Sequence, residues 1–176
     1  MKRLGLLRHA KSEWDDMSLR DFDRGLNERG RKGAALMGNH IIEQGGEWDL
    51  ALASPAVRVK DTLAASGLKM PIQFEEDAYL ADSATLISLL RNVKSDPESI
   101  LVAGHNPGLQ ELALALVSPL DENKLFEEVM QKYPTASYAT LELNIEKWEE
   151  LDTACGKLMH FARPRDLDPE LGPLFS

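Results

Sequence analysis

Apolar positions in the first half of the chain come in short bursts set apart by polar, turn-rich segments. Leu4, Leu6 and Leu7, with Gly5 between them, form an apolar segment within residues 3–8, the pattern of a strand covered on both faces. Residues 11–25 are too charged and irregular for a regular element and predict a loop. After Asn27 the period changes. Ala34, Met37 and Ile41 recur at i, i+3 and i+7, which lays an apolar stripe along a helix, with Asn27 as its N-cap and Gly45 and Gly46 as its stop.

The alternation then repeats. Residues 49–54 predict a second buried strand, Pro55 falls where the first turn of a following helix accepts it, and residues 72–76 give a weaker third strand. Leu86, Leu89, Leu90 and Val93 follow the helical period, residues 99–105 supply an apolar run ending in His105, and Leu109, Leu112, Ala113 and Leu116 are helical again. Two later segments, 137–144 and 157–164, predict an antiparallel edge pair. Together these predict an α/β three-layer sandwich: a mainly parallel central sheet, helices on both faces and an antiparallel edge, with the loops after the parallel strands gathered along one rim. The expected organisation is a single domain over residues 1–164 and an irregular C-terminal tail over 165–176.

Composition narrows the function classes. The 176 residues carry a formal net charge of −9, so an anion-binding site has to be a local cluster of cations, and nucleic acid and acidic membrane surfaces are not expected partners. One cysteine, Cys155, permits no internal disulfide, and no apolar run approaches the ~20 residues of a membrane span. A soluble, cytoplasmic monomer is the expectation.

Candidate chemistry lies where the strands end. Arg8 and His9 close the first strand, Arg58 follows the second, and His105 closes the fourth, so strand ends on one rim can bring two guanidinium groups and two imidazoles together. Without cysteine or carboxylate partners in the pattern this is a poor metal site and a good pocket for a tetrahedral dianion, since guanidinium groups grip phosphate oxygens in pairs. No metal and no cofactor are expected.

The ordered segments "LLRHAKSEW", "LNERG", "SPAVRVKDT" and "GHNPG" resemble the motifs of the histidine phosphatase superfamily, whose fold is phosphoglycerate mutase-like, and within it the short SixA-type phosphohistidine phosphatases. The resemblance spans roughly residues 4–164. It implies that His9 is the nucleophile that accepts a phosphoryl group and that Arg8, Arg58 and His105 bind its oxygens. It also implies a metal-independent phosphatase whose substrate is phosphohistidine on a protein such as a phosphotransfer domain. Ala10 replaces the family's usual glycine after that histidine, which an alanine satisfies if φ stays negative.

Other readings stay open at this level. Many relatives place a glutamate acid after the third strand. Here that region reads "EEDAYLADSATL", so Asp82 is either that acid or the N-cap of the Leu86 helix. Lys11 and Ser12 are candidate substrate contacts in a loop that equally reads as solvated, and Asn106 either assists an anion at a helix N-terminus or caps that helix. Arg24 is a further residue that could lean toward substrate, and His40 and His160 read as structural or surface residues. The DxD spacing of Asp21 and Asp23 lacks a preceding apolar strand and is set aside as loop. The competing functions are a phosphatase of small phosphomonoesters on the same residues and a non-catalytic phosphate-binding regulatory module.

Overall fold

A computed structural model describes residues 1–172. The chain forms β1 (Lys2–Arg8), α1 (Glu28–Glu43), β2 (Leu50–Ala53), α2 (Val57–Ser66), β3 (Ile72–Phe74), α3 (Ser83–Arg91), β4 (Ser99–Gly104), α4 (Gly108–Leu116), α5 (Lys124–Gln131), β5 (Tyr138–Leu143), β6 (Gly156–Ala162) and α6 (Pro164–Leu167). The six strands make one sheet in the order β3-β2-β4-β1-β5-β6. The first four are mutually parallel, and β5 and β6 complete it antiparallel. This is the α/β architecture anticipated from the alternation, including its antiparallel edge.

Two cores follow from strand alternation. On one face Leu4, Leu6, Leu52, Ile100 and Val102 pack against Leu86, Leu90, Leu109, Leu112 and Leu116 from α3 and α4. On the other, Leu7, Ala51, Ala53, Leu101 and Ala103 meet Met37 and Ile41 of α1 and Val59 and Leu63 of α2. Helices therefore cover both faces, which explains why β4 is buried along its whole length and reads as an unbroken apolar run. At the other extreme β3, an edge strand, is exposed at all three positions, the reason for its weak signal.

Local signals account for most element ends. The Asn27 side chain accepts from the backbone N–H of Gly30 at 2.7 Å and so caps α1. Pro55 lies just before α2 rather than inside it. Several elements were not anticipated. α5 is short and half of its residues are exposed, with Val129 its one buried residue. The loop after β1 contains a 3₁₀ turn at Asp21–Asp23. The described part of the expected tail is folded: α6 is followed by a 3₁₀ turn at Pro169–Leu171, and Arg29 of α1 donates to the carbonyls of Glu170 and Gly172, both at 2.7 Å. Residues 173–176, the rest of that expected tail, lie outside the described residues.

Candidate active site

β1, β2 and β4 are parallel neighbours, so their C-terminal ends share one rim, and the residues that follow them are stitched together by backbone hydrogen bonds. His9 N–H donates to Gly104 O at 3.0 Å, Ser54 N–H to Ala103 O at 3.1 Å, and Ala136 N–H to His9 O at 2.9 Å. Two glycines of the sequence motifs earn their place by close approach. A Cβ on Gly30 would stand 2.1 Å from Lys11 O, and one on Gly108 would stand 1.9 Å from Ala81 O, so α1 and α4 start against backbone that tolerates no side chain. Ala10 is fully buried, donates its N–H to the Thr62 hydroxyl at 2.9 Å, and is not among the described residues with positive φ, so alanine fits where glycine is usual.

The four strand-end groups meet. The His9 and His105 ring centroids are 5.4 Å apart. His9 Nδ1 lies 2.7 Å from Ala10 O; a carbonyl can only accept, so Nδ1 carries the proton and Nε2 holds the free lone pair. On His105 the roles are reversed: Arg58 donates to Nδ1 at 3.3 Å, and Nε2 donates to the Ser54 hydroxyl at 2.8 Å. Burial is the main cause that pushes both imidazoles down. His9 falls to about 4, with the cations of Arg58 and Arg8 helping and the bond to Ala10 opposing, and His105 falls to about 3, with Arg58 and His9 helping. Both rings are neutral at pH 7.

Each arginine is anchored differently. Arg8 donates through Nη1 to Tyr133 O at 2.9 Å, and its Nε is buried without a partner among the described residues. Tyr133 is itself fixed by its hydroxyl, which donates to Leu6 O at 2.6 Å. Arg58 is buried and donates through Nη1 to Asp21 O at 2.8 Å and through Nη2 to Asp21 Oδ2 at 3.0 Å. The Tyr79 hydroxyl donates to the same carboxylate oxygen, and the Tyr79 ring stands edge-on to His105 with centroids 5.3 Å apart. The Tyr79 bond, followed by Arg58, holds the Asp21 carboxyl below its usual value. Asp21, Tyr79, Ser54 and Tyr133 are thus site residues that the sequence pattern did not bring forward.

The remaining candidates are placed elsewhere. Asp82 is exposed and caps α3, accepting from Thr85 N–H at 2.8 Å, and no hydrogen bond or ion pair joins it to Arg8, His9, Arg58 or His105. Asn106 is turned to local scaffolding: it donates to Tyr133 O at 3.1 Å and accepts from Gln110 N–H at 3.2 Å. Ser12 is buried in a bridge to Leu26, and exposed Lys11 lines a neighbouring cavity with Ala10. Arg24 braces the loop after β1, donating to Asp16 O and Leu19 O at 3.0 and 3.1 Å and stacking on Trp14. His40 and His160 pair with each other, Nε2 to Nε2 at 2.8 Å. Chemically, the rim offers one buried neutral imidazole with a free nitrogen beside two guanidinium groups, an arrangement suited to taking a phosphoryl group from a dianion.

Known proteins share this plan. Residues 4–84 match the family model of the histidine phosphatase superfamily, branch 1. An uncharacterized Mycobacterium tuberculosis protein, Rv1276c, is 32% identical over 160 residues, covering 90% of this chain and all of the relative. Among solved structures, an Agrobacterium tumefaciens protein provisionally named phosphohistidine phosphatase SixA is 30% identical with a TM-score of 0.77, covering 93% of this chain and 98% of that one. A Nakamurella multipartitia protein of the same provisional name is 25% identical with a TM-score of 0.83, covering 93% and 96%. With that likeness running through both the chain and its fold, the protein belongs to the histidine phosphatase superfamily and is SixA-like within it.

Proposed function

We propose that the protein is a phosphatase working through a phosphohistidine on His9 and that its substrate is phosphohistidine carried by a protein. The observation that carries the mechanism is the His9 hydrogen bond to Ala10 O, which leaves Nε2 as the reacting nitrogen. Nε2 attacks phosphorus in line, the bond to the leaving group breaks, and Arg8 and Arg58 balance charge on the equatorial oxygens. The Nδ1–H stays in place and the carbonyl of Ala10 stabilises the positive charge that phosphorylation puts on the ring. Water then attacks phosphorus, the P–N bond breaks with its electron pair returning to Nε2, and inorganic phosphate leaves.

Substrate preference follows from how the carboxylates are used. An alkoxide leaving group needs a proton donor, whereas imidazole, with a conjugate-acid pKa of ~6.5, leaves far more readily. Asp82 is spent on a helix cap, and Asp21 is held ionised by Tyr79 and Arg58, so neither is poised to donate. That favours a phosphoramidate over a sugar phosphate.

The test has three parts. His9→Ala is expected to abolish hydrolysis with the fold intact, and a rapid quench of wild type with labelled substrate to trap an acid-labile, alkali-stable adduct; an active variant refutes the role of His9. Arg58→Ala is expected to cost on the order of 2–4 kcal/mol of transition-state stabilisation. Comparable turnover of phosphohistidine and sugar phosphates removes the substrate preference.

A further inference from the structure

Beside the His9 rim lies a cavity of about 210 Å³ whose wall includes Ala10, Lys11, Arg29, Lys132, Thr135 and Arg165. Four of its lining residues are cations, and no carboxylate side chain is among the described residues that line it. Such a local excess is notable in a chain whose net charge is −9. Arg29 is committed to the carbonyls of Glu170 and Gly172, which fastens the C-terminal segment as one wall. Lys11 and Lys132 are exposed and Arg165 half-buried, and none of the three is in an ion pair among the described residues.

The cavity is tied to the site by backbone. Ala10 and Lys11 follow His9 directly, Ala136 donates to His9 O, and Arg8 reaches Tyr133 O, so the walls at 10–11 and 134–136 are held rigidly to the reacting residues. At about 210 Å³ the cavity falls short of the ~300–1,000 Å³ typical of small-molecule sites, so it suits one or two side chains rather than a cofactor.

We propose that this cavity docks an acidic segment flanking the phosphorylated residue of a protein substrate, with Lys11, Lys132 and Arg165 receiving its carboxylates. The proposal rests on the phosphoprotein reading above and adds to it the chemistry of the sequence around the phosphorylated residue. Exposed ion pairs are individually weak and salt-screened, so the effect belongs to KM and specificity rather than to the chemical step.

The experiment compares two synthetic phosphohistidine peptides, one flanked by glutamates and one by glutamines, with free phosphohistidine, on wild type and on a Lys132→Glu, Arg165→Glu double variant. Wild type is expected to favour the glutamate peptide by about fivefold in kcat/KM, carried by KM and fading in high salt. The double variant is expected to lose or invert that preference while turning over free phosphohistidine as wild type does, which also reports an intact fold. Equal use of both peptides by wild type, or an unchanged preference in the variant, overturns the docking role. If no phosphohistidine compound is hydrolysed while aryl phosphates are, the substrate reading fails by itself. The cavity is then decided by fluorescence anisotropy of labelled, unphosphorylated glutamate and glutamine peptides: tighter binding of the glutamate peptide to wild type alone supports it, and equal binding overturns it.

Discussion

Protonation of His9 is the perturbation that probes the site most directly. An ordinary imidazole takes a proton near 6.5, whereas burial, aided by Arg58 and Arg8, moves His9 to about 4. Placing a proton on this ring therefore costs about 3 kcal/mol more than in water. At pH 5.5 an unperturbed histidine is only about 9% neutral, while His9 is about 97% neutral. Because a protonated Nε2 cannot attack phosphorus, the enzyme's own contribution to the acid limb of kcat/KM is expected near pH 4. Substrate phosphate ionises near pH 6, so a rate profile alone confounds the two. Side-chain ¹⁵N–¹H correlation spectra separate them. The chain has four histidines, and replacing His40 and His160 singly by glutamine assigns their signals. From pH 8 to 5 the His9 ring is expected to show a protonated Nδ1 and a bare Nε2. Arg58→Met is expected to recover only the smaller part of the shift, since burial outranks charge among its causes. A His9 ring that titrates between 6 and 7, or one that carries its proton on Nε2, refutes both the electrostatic account and the choice of reacting nitrogen.

The same displaced rings make stability depend on pH. Unfolded histidines bind protons near 6.5 but native His9 and His105 only near 4 and 3, so stability is full above about pH 6.5 and falls on acidification by up to about 1.4 kcal/mol per unit for each ring; urea titrations at several pH values read the slope, and a flat profile refutes it. Asp21→Asn removes the carboxylate that competes for Arg58 and is expected to tighten inhibition by inorganic phosphate about two- to fivefold, whereas weaker inhibition means that Asp21 serves chiefly to aim the guanidinium. Gly30→Ala forces a Cβ against Lys11 O and is expected to destabilise the fold by about 3 kcal/mol in urea unfolding; a neutral result means the helix start yields easily. Tyr133→Phe removes one hydrogen bond to the Leu6 carbonyl and is expected to cost about 1 kcal/mol of stability while sparing turnover, because Arg8 is held by the backbone of Tyr133, not its hydroxyl; lost turnover at unchanged stability contradicts that division.

Legibility in the sequence followed range. β1, β2 and β4 were readable because burial on both faces leaves unbroken apolar runs, and His9 and His105 were readable because they close such runs. Ser54 obeys the same rule, closing β2, yet the sequence reading did not bring it forward, because a lone serine carries no charge to mark it. Asp21 and Tyr79 are different. Asp21 sits in a charged loop with no strand before it, and its meaning comes only from the loop folding back onto Arg58. Tyr79 lies within the segment where a carboxylic acid was sought, so a search restricted to carboxylates passed over the phenol that holds one. The cap at Asp82 was legible as one of two readings, and in the structure its carboxylate accepts from the third residue of α3.

Charge accounting links the site to its surroundings. The cluster holds two guanidinium cations, two neutral imidazoles and one carboxylate, so it attracts a dianion only at close range, within a molecule whose overall charge repels it at longer range. Asp21 sharpens this: with no ligand bound it occupies Arg58, and an arriving phosphoryl group has to compete with it. Small dianions gain little help in reaching such a site from solution. A phosphorylated side chain on a protein is delivered differently, because contacts made elsewhere on the partner raise its effective concentration at His9. The proposed phosphoprotein substrate would arrive already held in this way, and the docking proposed for the cation-lined cavity next to His9 would add to that hold.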